Sequence, residues 1–469
     1  MIILPNITQV LEENVDYYRT MSDNYKSHID SLVCTTIQGL NKHKVLKRWK
    51  HLGCCSLSSK ELNEKFVEYG KTYKDVIPHF FDIVDEDYDK YNSNKKKRHT
   101  KYYRLKDSIV DCLITDLKTN KTILKDSKTK KNIHYLRENG IRKTYTDKRG
   151  VTSQCKSEIQ IDTWVKGNEE LIDKYIDDLE GMRYSVNDIK KSRCDTLLIE
   201  LCCLKSLMNN NLKKGFIPQI YQESNCGRLT GKGFHLLNMS KKIRFIFFGD
   251  MNLYDYDISN CHYSIFSNLT RQYGYDCEGI EYYLNNKLQV RERLSEELGL
   301  SIKQIKTGLI SLIYGNKLEV NPFNSLWDEL HGEEGLRNFS KHKVIKKLVK
   351  EIKIGSELII NNMKWTRKNR YGEGVMNVVG KTRFIYDDKG RRINNSKLLS
   401  HELMGYERKL MEFISKITDK KMIGLFYDGW ISEQVDSDYI SNKIREEFNF
   451  NISIDSKLIV SPTSFELGL

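Results

Sequence analysis

Three stretches of this sequence carry the residue types that chemistry needs. Asn252 to Ser259 alternates apolar and polar residues around aromatics and carries Asp255 and Asp257. Such alternation predicts a β-strand, and Tyr263 to Leu269 just beyond it predicts a helix. A carboxylate closing a strand beside a helix can hold a divalent metal, although strands also end in aspartate simply to cap the next helix. Lys306 to Gly315 comes next, with Lys306, Ile310 and Tyr314 four residues apart. On a helix that spacing sets an ammonium, an apolar side chain and a phenol on one face, which suits phosphates, a sugar and a base. An amphipathic core helix would show the same spacing. The third stretch, Met422 to Ser432, is an apolar run broken by Asp428 and Gly429 that resumes as Trp430 and Ile431. It predicts a β-hairpin with Asp428 near its turn, where Asp-Gly is itself a common turn former. Brought beside Asp257, Asp428 would complete a carboxylate pair able to share two metal ions.

The rest of the chain must position these stretches. From about 160 to 212 a helical periodicity runs through Leu171, Ile172, Tyr175, Ile176 and Leu179, then Leu197 to Leu207. It predicts a helical arm leading into the unit that holds the three motifs. Residues 1–150 read as mainly helical, and the polar run that ends between 130 and 160 predicts a boundary there. Two basic stretches lie in that first part, Lys95 to Arg104 and Lys118 to Lys131. Lysines among tyrosines can follow a strand's phosphates while stacking its bases, and a solvated face has the same composition. The acidic segment Asp82 to Asp89 lacks the Asp-x-Glu pattern of a proofreading exonuclease and reads as solvated surface.

Composition narrows the class. The 469 residues are enough for two or three domains, and 39% hydrophobic with 30% charged residues fits a globular protein. An excess of 77 Lys+Arg over 63 Asp+Glu, net +14, favours polyanionic partners. Abundant lysine, asparagine, isoleucine and tyrosine also fit an AT-rich coding sequence, so part of that charge carries no message. The eleven cysteines are irregularly spaced, with no C-x-x-C pair and no zinc-ligand cluster. With an apolar opening, Met1 to Leu4, too short for a signal segment, they lead us to expect reduced thiols in the cytoplasm, or a host's cytoplasm for a mobile element. No run is long enough to span a bilayer, so no membrane partner is expected.

An Asp-ended strand, a Lys-x7-Tyr-Gly helix and an Asp hairpin, in that order, resemble motifs A, B and C of family A DNA polymerases. Flanking segments extend the resemblance from about 215 to 435. Gly215 to Gln222, Gly227-Arg228-Leu229-Thr230, Leu236 to Met239 and Ile243-Arg244 look like the stretch before motif A. Gly374 to Arg383 is similar to the family's Thr-x-x-Gly-Arg-Arg-Arg hairpin, and Ser400 to Met411 stands where a Gln-Gly helix meets the duplex. The resemblance implies an α+β, right-hand polymerase fold: an antiparallel-sheet palm with helical fingers and thumb, after a mainly helical N-terminal domain. The division would be 1–150, a thumb-like arm at 151–214, and palm and fingers at 215–469.

By the same resemblance, Asp257 and Asp428 would bind two Mg²⁺ ions (Mn²⁺ as a substitute), with Asp255 the fallback for Asp257. Lys306 would be catalytic, and Lys303, Lys306, Ile310, Tyr314 and His262 would contact the nucleoside triphosphate. Arg228, Gln222, Arg383 and Arg392 would contact primer–template DNA, or RNA. Departures from the family matter. His262 stands where DNA-synthesising members carry a glutamate that excludes ribonucleotides, which leaves sugar choice open. Ile302 replaces an arginine, for which Lys303 can substitute as a point charge. Ile310 stands where an aromatic is common, and both neighbours of Asp428 differ from the family's. The expectation is a DNA-directed DNA polymerase without proofreading exonuclease. Alternatives are a single-subunit RNA polymerase or primase-like enzyme, and a catalytically inactive nucleic-acid-binding replication module.

Overall fold

The computed structural model describes residues 3–4, 7–23, 25–30, 33, 55–58, 73–83, 100–119, 125–126, 140–141, 144–146 and 152–467, the last with breaks at 156, 187, 211–212, 233–234, 323, 328, 370–371, 387–389, 419–421 and 464–466. The fold mixes helices and small sheets.

One sheet organises the C-terminal half. Its strands are β1 (Tyr254–Ile258), β2 (Gly424–Phe426), β3 (Gly429–Ser432) and β4 (Ile454–Leu458), in the order β2-β3-β1-β4. All pairings are antiparallel. The two-residue period sends Tyr256 and Ile258 to one face, where Tyr256 stacks on the fully buried Trp430 with ring centroids 4.8 Å apart. Asp255 and Asp257 go to the other face. Register fixes what Asp257 meets, since it lies opposite Gly429 on β3 and Asp455 on β4.

Gly429 does not form the turn. The strands β2 and β3 pair Phe426 with Gly429, so the two turn residues are Tyr427 and Asp428, and Tyr427 takes the left-handed conformation at φ 64°. Gly429 instead permits close approach, because a Cβ there would lie 2.5 Å from the Tyr256 carbonyl oxygen and 3.4 Å from Asp257 Oδ1. Gly429→Ala should force β3 off β1 and cost about 1–3 kcal/mol, read as a lower thermal unfolding midpoint.

Helices back the sheet. Helix α1 (Cys261–Gln272) is buried from Cys261 to Thr270. Helix α2 (Ile302–Ile313) starts in a capping box between Ser301 and Gln304 and buries Ile305, Leu309, Leu312 and Ile313. Helix α3 (Lys343–Asn362) and helix α4 (Asn395–Ile417) pack together and against α1. Gly355 of α3 leaves room for the Phe266 ring of α1. Trp430, Phe266, Leu309, Phe339 and Leu403 belong to one apolar cluster.

The helices Glu169–Arg183 and Asp188–Asn210 form in the segment read as a helical arm. They share a second apolar cluster with Ile7, Leu11, Leu113 and Leu117 from the N-terminal part and with Phe247, Phe248 and Ile431. In the N-terminal part, helices and short strands both occur among the described residues. Helices Ile7–Asn14 and Asp107–Lys118 are there, together with an antiparallel sheet in which Thr100–Leu105 runs between Cys55–Ser58 and Phe81–Ile83. Short strands without regular alternation gave no periodic signal. Asp82 pairs with Arg104 at 3.4 Å, a structural use of the one acidic side chain described there. Asp85 to Asp89, Lys95 to His99 and most of 120–131 lie outside the described residues. Among the described residues, no helix is long and apolar enough to cross a membrane.

Candidate active site

Two backbone devices bring Asp257 and Asp428 to one place. Asp257 is the penultimate residue of β1, and Asp428 occupies the β2–β3 turn, whose carbonyl accepts a hydrogen bond from the Ile258 amide at 2.9 Å. The turn is thereby tied to the end of β1. Asp255, two residues back on the same face, is ion-paired with Lys241 at 3.0 Å. Asp257 has no ion pair among the described residues, which distinguishes the two aspartates.

Both carboxyls are hard to ionise. Burial in the wall of the site raises Asp257 to about 7, followed by the charges of Asp428, Asp255 and Asp455, with Lys306 opposing. The residue still keeps an exposed surface, so it is walled in yet reachable from solvent. Asp428 is raised by burial and by Glu407, and lowered by its own amide, His262 and Arg228. Crowded, partly desolvated carboxylates that repel one another form a site that a hard divalent cation would relieve.

Helix α2 turns its polar face outward. Lys303, Lys306 and Ile310 are exposed, and Tyr314 caps the helix with 42% of its surface open. Ile310 is 38% exposed, so this face is not a core face. The apolar face opposite it does the packing, with Gly308 set against the Phe339 ring. Beside the exposed face lies an open cavity of about 790 Å³, lined by Thr307, Ile310, Ser311, Tyr314 and Asn316 among others.

His262, in the first turn of α1, is 7% exposed, and its ring meets the Tyr314 ring edge-on, centroids 5.2 Å apart. Arg228 follows a turn in which the Ser224 amide donates to the Arg228 carbonyl at 2.8 Å. Its guanidinium lies over the Tyr427 ring, 4.4 Å from the centroid, beside the Asp428 turn. Arg228 and His262 meet on Glu407 of α4, which is 1% exposed. Arg228 Nε donates to Oε1 at 2.7 Å, Nη2 donates to Oε2, and His262 Nε2 lies 2.9 Å from Oε2.

The remaining expected contacts are not brought to the carboxylates. Gln222 is buried at 7% exposure on the strand Ile220–Glu223. Arg383 is half-buried on the strand Thr382–Phe384, near Cys226, and burial lowers its pKa. Arg392 is exposed and bridges to Tyr386. Glu223, next to Gln222, carries the local structure, since both Lys381 and Arg408 pair with it.

Sequence reading missed Glu407, although a signal existed. Leu399, Leu403, Leu410 and Ile414 mark the buried face of α4, and Glu407 stands four residues after Leu403 and three before Leu410. A glutamate on an apolar stripe demands a buried partner. Ligand atoms of Cys261, Glu407 and Asp428 lie within 4.8 Å of one another. That trio does not suit Mg²⁺. Both Glu407 oxygens are engaged by Arg228 and His262, and burial holds the Cys261 thiol protonated, well above its usual range. Asp257 with Asp428, all oxygen donors, is the better hard-cation pair.

No family model matches this chain, and no curated protein matches it. Among solved structures, the chain is similar to the POL domain of Pol1 from M. smegmatis in complex with DNA primer-template and dNTP, with 12% sequence identity and a TM-score of 0.40. The match covers 69% of this chain and 58% of that one, so the chain spans less than two thirds of that structure.

Proposed function

We propose that this protein is a nucleotidyltransferase that adds nucleotides to a primer 3′-hydroxyl under the direction of a template, as a DNA polymerase of family A character. The observation that carries the reading is the pairing of Asp257 with Asp428 beside the outward face of α2. Asp257, Lys306 and Ile310 are exposed and do not serve the core, and Asp257 feels the charges of both Asp428 and Lys306.

Asp257 and Asp428 would hold two Mg²⁺ ions, which supply charge neutralisation at the attacking and leaving oxygens when bound. Lys306, on the open side of α2, meets the triphosphate and stabilises charge developing on its oxygens. Lys303, one turn earlier, adds a second point charge. Ile310 and Tyr314 give the base and sugar an apolar floor, and His262 borders the sugar. Arg228, held against Tyr427, meets the primer end, while Arg383 and Arg392 reach the duplex further out. In this reading β1 to β4 are the palm of a right-hand fold, 215–469 is the polymerase unit, 151–214 the arm, and 1–150 a separate region. Ribonucleotide use is kept as a second reading because His262 replaces an acidic side chain.

Template direction gives the test. A primed DNA template is offered each of the four deoxynucleotides singly, then each ribonucleotide, in Mg²⁺. Addition of only the complementary nucleotide supports the proposal. Template-independent addition, or none with either sugar, contradicts it.

A further inference from the structure

A buried arginine outside the steps above has no carboxylate to answer it. Arg291, on the helix Lys287–Leu298, is 7% exposed, and its partners among the described residues are neutral oxygens. Its Nη2 donates to Asn260 Oδ1 at 2.8 Å and to the Tyr283 hydroxyl at 2.5 Å, and its Nε donates to the same hydroxyl at 3.1 Å. A guanidinium desolvated without a counter-charge is unfavourable, and stability alone gives no reason for one.

Asn260 is where its effect lands. It stands three residues after Asp257, at the corner between β1 and α1, in the left-handed conformation at φ 46°. Just before a helix, asparagine ordinarily turns its side-chain oxygen onto the amides of the first turn. Asn260 makes no such bond, and its Oδ1 goes to Arg291 instead. One turn before Arg291 on the same helix face, Lys287 Nζ donates to Ser259 Oγ at 2.7 Å and to Asp455 Oδ2 at 2.7 Å. Two cations of one helix thus hold two successive residues of the corner. The same cluster reaches α2. The Tyr283 ring meets the Tyr263 ring edge-on, and the Tyr263 hydroxyl donates to the Leu309 carbonyl of α2 at 2.6 Å. The helix Lys287–Leu298 itself packs on α2, which carries Lys306 three residues before Leu309.

We propose that Arg291 is a positioning residue that holds the Asn260 corner left-handed and so sets Asp257 against Lys306 of α2. The inference rests on the polymerase reading and adds to it a residue that touches neither nucleotide nor metal. Without Arg291, Asn260 is free to leave a conformation that non-glycine residues disfavour, and the end of β1 shifts with it. Glycine at this position would hold the same conformation unaided.

The test is templated single-nucleotide addition by full-chain variants, read as kcat, KM for primer–template and the Mg²⁺ concentration giving half the maximal rate. Arg291→Met should lower kcat by about tenfold and raise the Mg²⁺ requirement, with KM for primer–template unchanged. Asn260→Ala should do the same with Arg291 in place, and Asn260→Gly should lose less than Asn260→Ala. Adding Asn260→Gly to Arg291→Met should restore most of the lost kcat, which a mere loss of packing around Arg291 would not allow. If thermal unfolding shows that Arg291→Met does not fold, Arg291→Lys, which keeps the charge and one donor, replaces it in the cycle. A double variant no better than the Arg291 variant alone, or an Asn260→Ala protein with wild-type kcat, would overturn the inference and leave the polymerase reading standing. No addition of any nucleotide by wild type would overturn both.

Discussion

Asp257→Asn and Asp428→Asn should each abolish nucleotide addition, by about a thousandfold or more, while primer–template binding stays near the wild-type level. Asp257 is crowded by the charges of Asp428, Asp255 and Asp455, and Asp428 by that of Glu407, an arrangement that serves no packing purpose. Loss of one removes an oxygen donor from the cation site, and roughly 4 kcal/mol of transition-state stabilisation corresponds to that rate loss. Duplex binding depends on phosphate contacts elsewhere and should survive. A second result distinguishes this from general damage. Asp257 titrates at about 7 in the folded chain against an ordinary 3.8, so folding favours its protonated form. Metal-free stability is then fully present below about pH 4 and is lost as pH rises through 7. The Asn variants should therefore unfold at a higher temperature than wild type at pH 8 without metal. Mg²⁺ should raise the wild-type midpoint and leave theirs nearly unchanged. Lower variant midpoints under those conditions would show the aspartates to be structural.

Arg228→Ala should be the most destabilising single change in the site. The Arg228 side chain is 19% exposed and its partner Glu407 1%, and both guanidinium contacts would vanish with the residue. Glu407 would keep only His262, and a buried ion pair broken on one side costs about 3–5 kcal/mol. Arg228→Lys should recover little, because an ammonium cannot reproduce the two-pronged contact. Adding Glu407→Leu to Arg228→Ala should restore much of the stability and none of the activity. Chemical denaturation of the four proteins measures the stabilities, and nucleotide addition by the same proteins measures the activity. A variant lacking Arg228 that unfolds like wild type would remove Glu407 from the centre of the account.

The two motifs read best from sequence owe this to short-range physics. Four-residue spacing in Lys306, Ile310 and Tyr314 could only become a shared face once the helix formed, and Ser301 with Gln304 starts that helix locally. The strand at Asp257 followed from two-residue alternation. The choice of Asp257 over Asp255 was less legible, since both sit on one face and only the Lys241 ion pair and the strand register separate them. Asp428-Gly429 was readable as a hairpin but not as this hairpin. The turn shifts one residue so that Gly429 meets the Tyr256 carbonyl, a contact between segments over 170 residues apart in the chain. Gln222 illustrates the opposite case, where sequence position was transferred from a resemblance without the burial that decides accessibility. Glu407 needed both kinds of information: its stripe was visible, and its partners, 145 and 179 residues away, were not.

The most direct measurement is extension of a labelled primer on a DNA template by wild type and Asp428→Asn side by side, in Mg²⁺ and in chelator. The account predicts templated extension by wild type that stops in chelator and is absent from the variant. Extension by Asp428→Asn at the wild-type rate would contradict it.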